Sequence, residues 1–270
     1  MGTQAPLIVG AVAYHERVVP IWENFREYFA GKDAPIDYVL YSNYERLVEA
    51  LLSGRVDVAW NTNTAFVKAR HASVPLVILG MRDIDTDYAS VVVTRRSEGF
   101  EKAPELAGKR LALGSRDSGH AAILPLYYLL GEGLDAVADC ELIRFDTDLG
   151  KHGDTGDSEL RVVRAVAESS ADAGALGAPT WARLRAEATP ATQDLEVQWK
   201  SPLYYHCNFT ALESIDQARA QRWQKALLDM SYDDPARRHA MDLEGVKQWH
   251  KGDESGYRAL ELAMQEQDYL

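Results

Sequence analysis

Four histidines, one cysteine and a short serine-containing turn are the residues of this chain best suited to chemistry. His15, His120, His152 and His206 fall in segments predicted as loops or strand ends, and Cys207 follows His206 directly. Imidazole, thiol and a nearby carboxylate such as Asp117 or Glu16 are the ligand types that zinc and other borderline metals take. None of these residues shows the tight spacing of a metal motif, so neither metal nor cofactor is expected. Cys207 beside His206 would also suit a nucleophile with its base. Neighbours on a strand point to opposite faces, however, so His120 or His152 would have to serve as that base. The remaining histidines, His71, His239 and His250, fall on predicted helices.

The turn Gly114-Ser115-Arg116-Asp117-Ser118-Gly119-His120 runs from a predicted strand (110–113) into a predicted helix (121–130). Small hydroxyl residues and free N–H groups at a helix start form a generic anion cradle. Asp117 opposes that use: ionised and about 4 Å from an anion, it would cost roughly 4 kcal/mol at an effective dielectric near 20. Three resolutions stay open. Arg116 offsets the charge, Asp117 points away and caps the helix at Ala121, or the ligand is zwitterionic, cationic or neutral.

The elements that position these groups alternate between strand and helix. A strand over 38–41, a helix over 44–52 and a strand over 56–60 form one β-α-β stretch, in which Leu47, Val48, Leu51 and Leu52 make a single apolar stripe. Ser42 or Asn43 caps that helix. The second strand ends in Asn61-Thr62-Asn63, at the carboxyl end where open parallel sheets bind ligands. Strands at 7–13 and 74–79 and helices at 19–29 and 64–70 complete a doubly wound pattern, with Ile21, Trp22, Phe25 and Phe29 facing inward. The segment 172–176, after a helix over 158–168, repeats the plan of 56–60: helix, short turn, then a strand opening on aspartate. Trp22, Trp60, Trp181 and Trp223 read as packing residues, and the C-terminal region is predicted helical over 215–230, 235–241 and 255–265.

The motif Y-x(2)-LVEAL-x(2)-G-x-VDVAW, together with Leu106-Ala107-Gly108-Lys109 and the closing Gln248-Trp249 and Asp253–Tyr257 segments, resembles the substrate-binding proteins of phosphate/phosphonate-type ABC importers. That resemblance implies a type II periplasmic-binding-protein fold. It is a two-lobed α/β architecture in which each lobe is a mostly parallel sheet flanked by helices, and two segments cross between the lobes. It places residues 1–90 and 207–270 in the first lobe and 91–206 in the second. It further implies a small polar ligand (phosphonate, phosphate, or another oxyanion or zwitterion) held in a cleft by hinge closure, and an ABC permease as partner. Carried over to this chain, Tyr44 and Tyr88 match aromatic ligand contacts, Ser115 and Ser118 fall in the oxyanion loop, and His152 lies near an anion-holding histidine. The segments predicted to line the cleft are Tyr14-His15, Tyr44 with Asn61, Thr62 and Asn63, Tyr88, Ser115 to His120 (Arg116, Asp117 and Ser118 included), His152, and His206 to Asn208. The loop is shorter than the family's and lacks its Asp-Pro start.

Bulk properties narrow the classes. A chain of 270 residues with formal charge −12 has the mass for two lobes and lacks the basic face a nucleic-acid partner requires. No apolar run reaches the length of a membrane span. Cys140 and Cys207, far apart and without repeated spacing, read as two free thiols. The opening MGTQAPLIVGAVAYHERVV reads as a first strand rather than an export leader. If a leader has been removed the protein is periplasmic or extracellular; otherwise it is cytoplasmic. The rival function is a cytoplasmic enzyme on the same scaffold that uses the cleft histidines, Cys207 or Asp117 for acid–base or metal-assisted chemistry.

Overall fold

The computed structural model describes residues 5–270; residues 1–4, the start of the segment weighed above as a leader, lie outside the described residues. The backbone parts into two compact units. The first is the chain up to Asp87 with Tyr205–Arg258, and the second is Tyr88–Tyr204 with Ala259–Leu270.

In the first unit the chain runs through β1 (Leu7–Val12), α1 (Val18–Ala30), β2 (Ile36–Tyr41), α2 (Tyr44–Leu52), β3 (Val58–Asn61), α3 (Asn63–His71) and β4 (Leu76–Arg82). The second unit contributes β5 (Ser90–Arg95), β6 (Arg110–Leu113), α4 (Leu124–Gly131), α5 (Ala136–Asp139), β7 (Glu141–Arg144), α6 (Asp157–Ala167), β8 (Ala173–Gly177), α7 (Ala178–Ala186) and β9 (Leu195–Lys200). The chain then returns through β10 (Asn208–Leu212), α8 (Gln217–Leu228), α9 (Pro235–Glu244) and β11 (Trp249–His250), and closes with α10 (Arg258–Glu266).

The α/β fold matches expectation, but both sheets are mixed rather than mostly parallel. The first has the order β11-β4-β10-β3-β1-β2 and the second β7-β6-β8-β5-β9. Parallel pairing surrounds β1 in one and β6 in the other. The reversal comes from the strands that follow each change of unit. β5 runs antiparallel to both β8 and β9, and β10 runs antiparallel to both β3 and β4.

The repeated aspartate-led strands have a common physical cause. Asp57 Oδ2 accepts from Ile8 N at 2.7 Å while Asp57 N donates to Ile8 O at 2.8 Å. Asp172 does the same in the second unit, accepting from Arg110 N at 2.8 Å and donating to Arg110 O at 2.9 Å. Each carboxylate therefore locks the register of a central strand, and with it the height of the polar residues at that strand's far end.

Helix caps agree with sequence chemistry. Asn43 Oδ1 accepts from Arg46 N at 2.9 Å at the start of α2, and Thr62 Oγ1 accepts from Ala65 N at 3.2 Å at the start of α3. On α1, Ile21, Trp22, Phe25 and Phe29 are buried as predicted, each contributing about 1.5–3 kcal/mol of apolar burial. They join Trp60, Phe209, Trp223 and Trp249 in one core on one face of the first sheet, while Leu47, Leu51, Val56 and Ala65 belong to a second cluster with α2 and α3. The second sheet likewise carries two clusters, one with α4 and one with α6.

Two C-terminal expectations are corrected. His250 lies on β11, paired antiparallel with Met81 of β4, rather than on a helix. The stretch Ala259–Leu270, assigned from sequence to the first lobe, groups with the second unit. There Gln267 Nε2 donates to Ile123 O at 2.9 Å and the Tyr269 hydroxyl donates to Arg116 O at 2.6 Å. Both cysteines are free thiols. Among the described residues no helix is long and apolar enough to cross a membrane.

Candidate functional site

In the second unit the turn after β6 is built on a close approach. A β-carbon on Gly114 would lie 2.7 Å from Cβ of Ala121, and Gly114 N donates to Ala121 O at 3.0 Å. The chain then opens α4 through a π-helical turn, Gly119–Ile123. Such turns recur at functional sites. Ser118, fully buried, caps this turn by accepting from Ala121 N at 3.2 Å, so the cap is Ser118 and not Asp117. Ser115 is structural. Its hydroxyl donates to Phe145 O at 3.3 Å and accepts from Asp148 N at 2.9 Å. Arg116 faces outward, half exposed, with Nε donating to Asp146 Oδ2 at 2.9 Å, so its guanidinium is committed there and not to Asp117.

Asp117 stays buried at 8 % exposure and accepts from Gly150 N at 2.6 Å. His152 Nε2 stands 4.0 Å from the same carboxylate oxygen, on a residue held at φ 52°. A non-glycine residue in the left-handed region carries a backbone cost that its surroundings must override. His120 is buried, with Nε2 3.5 Å from Glu159 Oε2. Glu159 is locked from its other side, accepting from Gly177 N at 2.7 Å and from the Thr180 hydroxyl at 2.9 Å. Burial works against charge on both partners, but the Glu159 carboxylate outweighs it and raises the His120 pKa, while His120 in turn lowers that of Glu159. The Tyr88 ring lies 5.7 Å from that of His120, and a β-carbon on Gly177 would meet the Tyr88 hydroxyl at 3.0 Å.

In the first unit, Asn61, Thr62 and Asn63 at the tip of β3 are all buried. Asn63 Oδ1 accepts from Thr64 N at 2.8 Å and its Nδ2 donates to Tyr205 O at 3.3 Å. Asn61 differs: neither end of its buried amide has a hydrogen-bond partner among the described residues. Asn208 pairs with Asn61 across the sheet, but its Nδ2 donates to the Tyr257 hydroxyl at 2.8 Å and its oxygen accepts from Thr210. Tyr44 is packed in the core at the first residue of α2. Tyr14 is half-buried under the Arg17 guanidinium, 5.6 Å from the ring centre, and exposed His15 accepts from Arg17 N at 3.2 Å.

His206 and Cys207 correct an expectation. They precede β10 rather than lying on a strand, and the backbone bends around Asp85. His206 N donates to Asp85 O at 2.8 Å and Cys207 N donates to Asp85 Oδ1 at 3.0 Å. The bend brings Cys207 Sγ 3.0 Å from His206 Nδ1, a direct pair. With Asp85 they offer three donor atoms within 4.8 Å of one another. Arg82 already occupies both oxygens of Asp85 at 2.8 Å, however, so the group is a closed ion-pair network.

Three residues escaped the sequence reading. Glu159 and Ser158 sit in the first turn of α6, where acidic and hydroxyl side chains commonly face solvent; both are buried here. The Ser158 hydroxyl has no partner among the described residues and lies 3.3 Å from where a Gly114 β-carbon would stand. Asp148, between β7 and α6, accepts from Ser158 N at 3.0 Å at the start of α6.

Two mixed sheets flanked by helices, each presenting buried polar side chains at the carboxyl ends of its parallel strands, define the class of solute-binding proteins. Residues 9–257 match the family described as ABC transporter, phosphonate, periplasmic substrate-binding protein, and the chain belongs to that family. It is 22% identical over 239 residues to the probable ABC transporter phosphite binding protein PhnD1 of Prochlorococcus marinus (strain MIT 9301), covering 85% of this chain and 77% of that one. The structure of PhnD1 from that organism in complex with methylphosphonate superposes with a TM-score of 0.78 at 20% identity, covering 98% of each chain. XAC2383 from Xanthomonas citri bound to chloride ion gives 0.74 at 19% identity, over 99% of this chain and 100% of that one. The periplasmic aliphatic sulphonate binding protein SsuA from Escherichia coli gives 0.65 at 15% identity, over 98% and 87%. Membership implies a small-molecule ligand and a transporter permease as partner, in a family of periplasmic proteins. The cytoplasmic-enzyme alternative finds no support in these relationships.

Proposed function

We propose that this chain captures a small phosphorus oxyanion of the phosphonate or phosphite class in the periplasm and presents it to an ABC permease. The observation that carries this reading is a convergence in the second unit. A β-carbon on Gly153 would lie 2.8 Å from the Ser118 hydroxyl and 3.0 Å from His120 Nε2, so both groups pack against Gly153 and lie close to one another. They stand at the opening of the π-helical turn, where Ser118 already accepts from Ala121 N, Ala122 N and Ile123 N. Hydroxyl and imidazole groups are donors that suit an oxyanion. In this reading His152 lies against Asp117 and moderates the repulsion that carboxylate would exert. Arg116 and Ser115 take structural roles. In the first unit, Asn61 is assigned to solute recognition, because a fully buried amide with both ends unpaired calls for a partner.

Isothermal titration against methylphosphonate, phosphite, phosphate, methanesulfonate and an amino-acid panel tests the assignment. Binding of methylphosphonate or phosphite at about micromolar affinity or tighter is expected. Silence towards all phosphorus oxyanions, with heat from a sulfonate or an amino acid, overturns it. Cell fractionation of the source organism checks the compartment.

A further inference from the structure

We propose that Gln267 and Tyr269, in the C-terminal segment, are positioning residues for solute binding: they tether, by its backbone carbonyls, the turn that presents Ser118 and His120. The inference rests on the oxyanion reading above. It assigns a role to residues beyond the 9–257 over which the chain matches its family.

The need for outside tethers originates at Pro125. Proline has no N–H to give the carbonyl four residues before it in a helix, and its ring crowds that carbonyl. Here the helix start runs as a π-helical turn, Gly119–Ile123, with Leu124 N donating to Gly119 O. In the α register the donor missing at Pro125 belongs to Ala121 O, and in the π register to His120 O. Both carbonyls are satisfied from elsewhere. Ala121 O accepts from Gly114 N at 3.0 Å, and His120 O accepts from the Ser90 hydroxyl at 2.7 Å. The turn is therefore shaped by what donates to it from outside.

The C-terminal segment supplies two further holds. Gln267 Nε2 donates to Ile123 O at 2.9 Å, and the Tyr269 hydroxyl donates to Arg116 O at 2.6 Å. These two carbonyls bracket Ser118 and His120 along the chain, and turn and tail both lie in the second unit. The end of α10 sets the aim of the tail. Tyr269 N donates to Met264 O at 2.8 Å and Asp268 N to Gln265 O at 3.3 Å, with Asp268 at φ 58°. This is the Schellman pattern, with an aspartate in the left-handed position that glycine usually fills. It fixes Gln267 and Tyr269 relative to the helix, and each side chain then acts through the backbone of the turn.

Such tethers reach affinity through the fraction of molecules whose turn is ready to bind, since the apparent dissociation constant rises as that fraction falls. The test compares wild type, Tyr269→Phe, Gln267→Leu and the double variant, all as the full chain. Tyr269→Phe keeps the ring and Gln267→Leu keeps the bulk, so each removes one donor. Calorimetry gives the affinity for methylphosphonate. Amide hydrogen exchange at Ala122 and Ile123 in the ligand-free protein reports opening of the turn, because both amides bond Ser118 O. Each single variant is expected to bind methylphosphonate about two- to tenfold more weakly, the range of one net hydrogen bond, and to exchange faster at both amides. The double variant is expected to lose more than either.

A tail that serves only the fold predicts variants with a lowered thermal midpoint, unchanged affinity and unchanged exchange at Ala122 and Ile123. Either unchanged reading overturns the proposal. If methylphosphonate fails to bind wild type at any concentration, the oxyanion reading falls. The exchange rates then still decide whether the tail holds the turn.

Discussion

Arg82 grips Asp85 with two parallel hydrogen bonds, Nε to Oδ2 and Nη2 to Oδ1, each 2.8 Å long. The Asp85 carboxylate is fully buried and the Arg82 side chain nearly so. Arg82 also donates to Glu244 O at 2.7 Å and lies 5.2 Å over the Trp60 ring, so the pair ties the end of β4 to α9 and to the aromatic core. Asp85 in turn holds the backbone of His206 and Cys207 at the entry to β10. Removing the carboxylate would leave the buried guanidinium with only the Glu244 carboxylate, 3.7 Å away, as counter-charge among the described residues. Asp85→Ala should therefore destabilise the protein by about 3–5 kcal/mol, read as a lowered urea midpoint.

The same pair makes a pH prediction. Burial pushes the Asp85 carboxyl up, but the Arg82 charge and hydrogen bonds outweigh it and hold the value at about 2. An unfolded aspartate titrates near 3.9, so the folded value is the lower one. The resulting stabilisation, about 2–3 kcal/mol, is fully present above pH 4 and lost as pH falls towards 2. Wild type should show this acid loss in denaturation curves, and Asp85→Asn should show less of it.

Much of this was legible in the sequence because it is local or periodic. The stripe of Ile21, Trp22, Phe25 and Phe29 and the Asn43 cap are each fixed by a few neighbouring residues, and the aspartates opening two central strands show as a repeated pattern although their partners lie 49 and 62 residues away. The candidate site was legible only in part. Spacing places Ser118 and His120 in a turn at a helix start, but it does not say that Arg116 turns outward to Asp146 or that Ser115 is spent on Phe145 and Asp148. Glu159 was hidden for a different reason. An acidic residue in a first helical turn is already explained by the helix dipole, so nothing marks it as buried. Only Gly177 and Thr180, 18 and 21 residues further on, turn it inward.

Gly114 sets the shape of the turn between β6 and α4. An added β-carbon would stand 2.7 Å from Cβ of Ala121, and neither atom belongs to a flexible side chain. Gly114→Ala should cost about 1–3 kcal/mol of stability and weaken solute binding by displacing Ser118. A variant with unchanged thermal midpoint and unchanged affinity would show that the turn relaxes freely.

Ser118 and Arg116 should separate cleanly, although they lie two residues apart. Ser118→Ala removes the cap on Ala121 N, worth about 1 kcal/mol, and removes a hydroxyl facing the proposed anion. A hydrogen bond to a charged group is worth about 1.5–3 kcal/mol, so affinity should fall roughly ten- to a hundredfold. Arg116→Ala breaks only a solvent-exposed pair with Asp146 and should leave both stability and affinity unchanged. If Arg116→Ala instead weakened binding as much as Ser118→Ala, the guanidinium would have to swing to the ligand.

Asn61 distinguishes a group kept for the solute from one kept for the fold. Its amide is completely buried at the tip of β3 with neither nitrogen nor oxygen paired among the described residues. An unsatisfied buried polar group costs about 1–3 kcal/mol, and an apolar replacement of similar shape removes that cost. Asn61→Leu should therefore leave the ligand-free protein as stable as wild type or more so, while lowering its affinity for the solute. Thermal denaturation with and without ligand checks both halves: the ligand-induced rise in midpoint should shrink in the variant. A variant less stable in the ligand-free state would mean that an internal water or a shifted neighbour already satisfies the amide, and Asn61 would then be a residue of the fold.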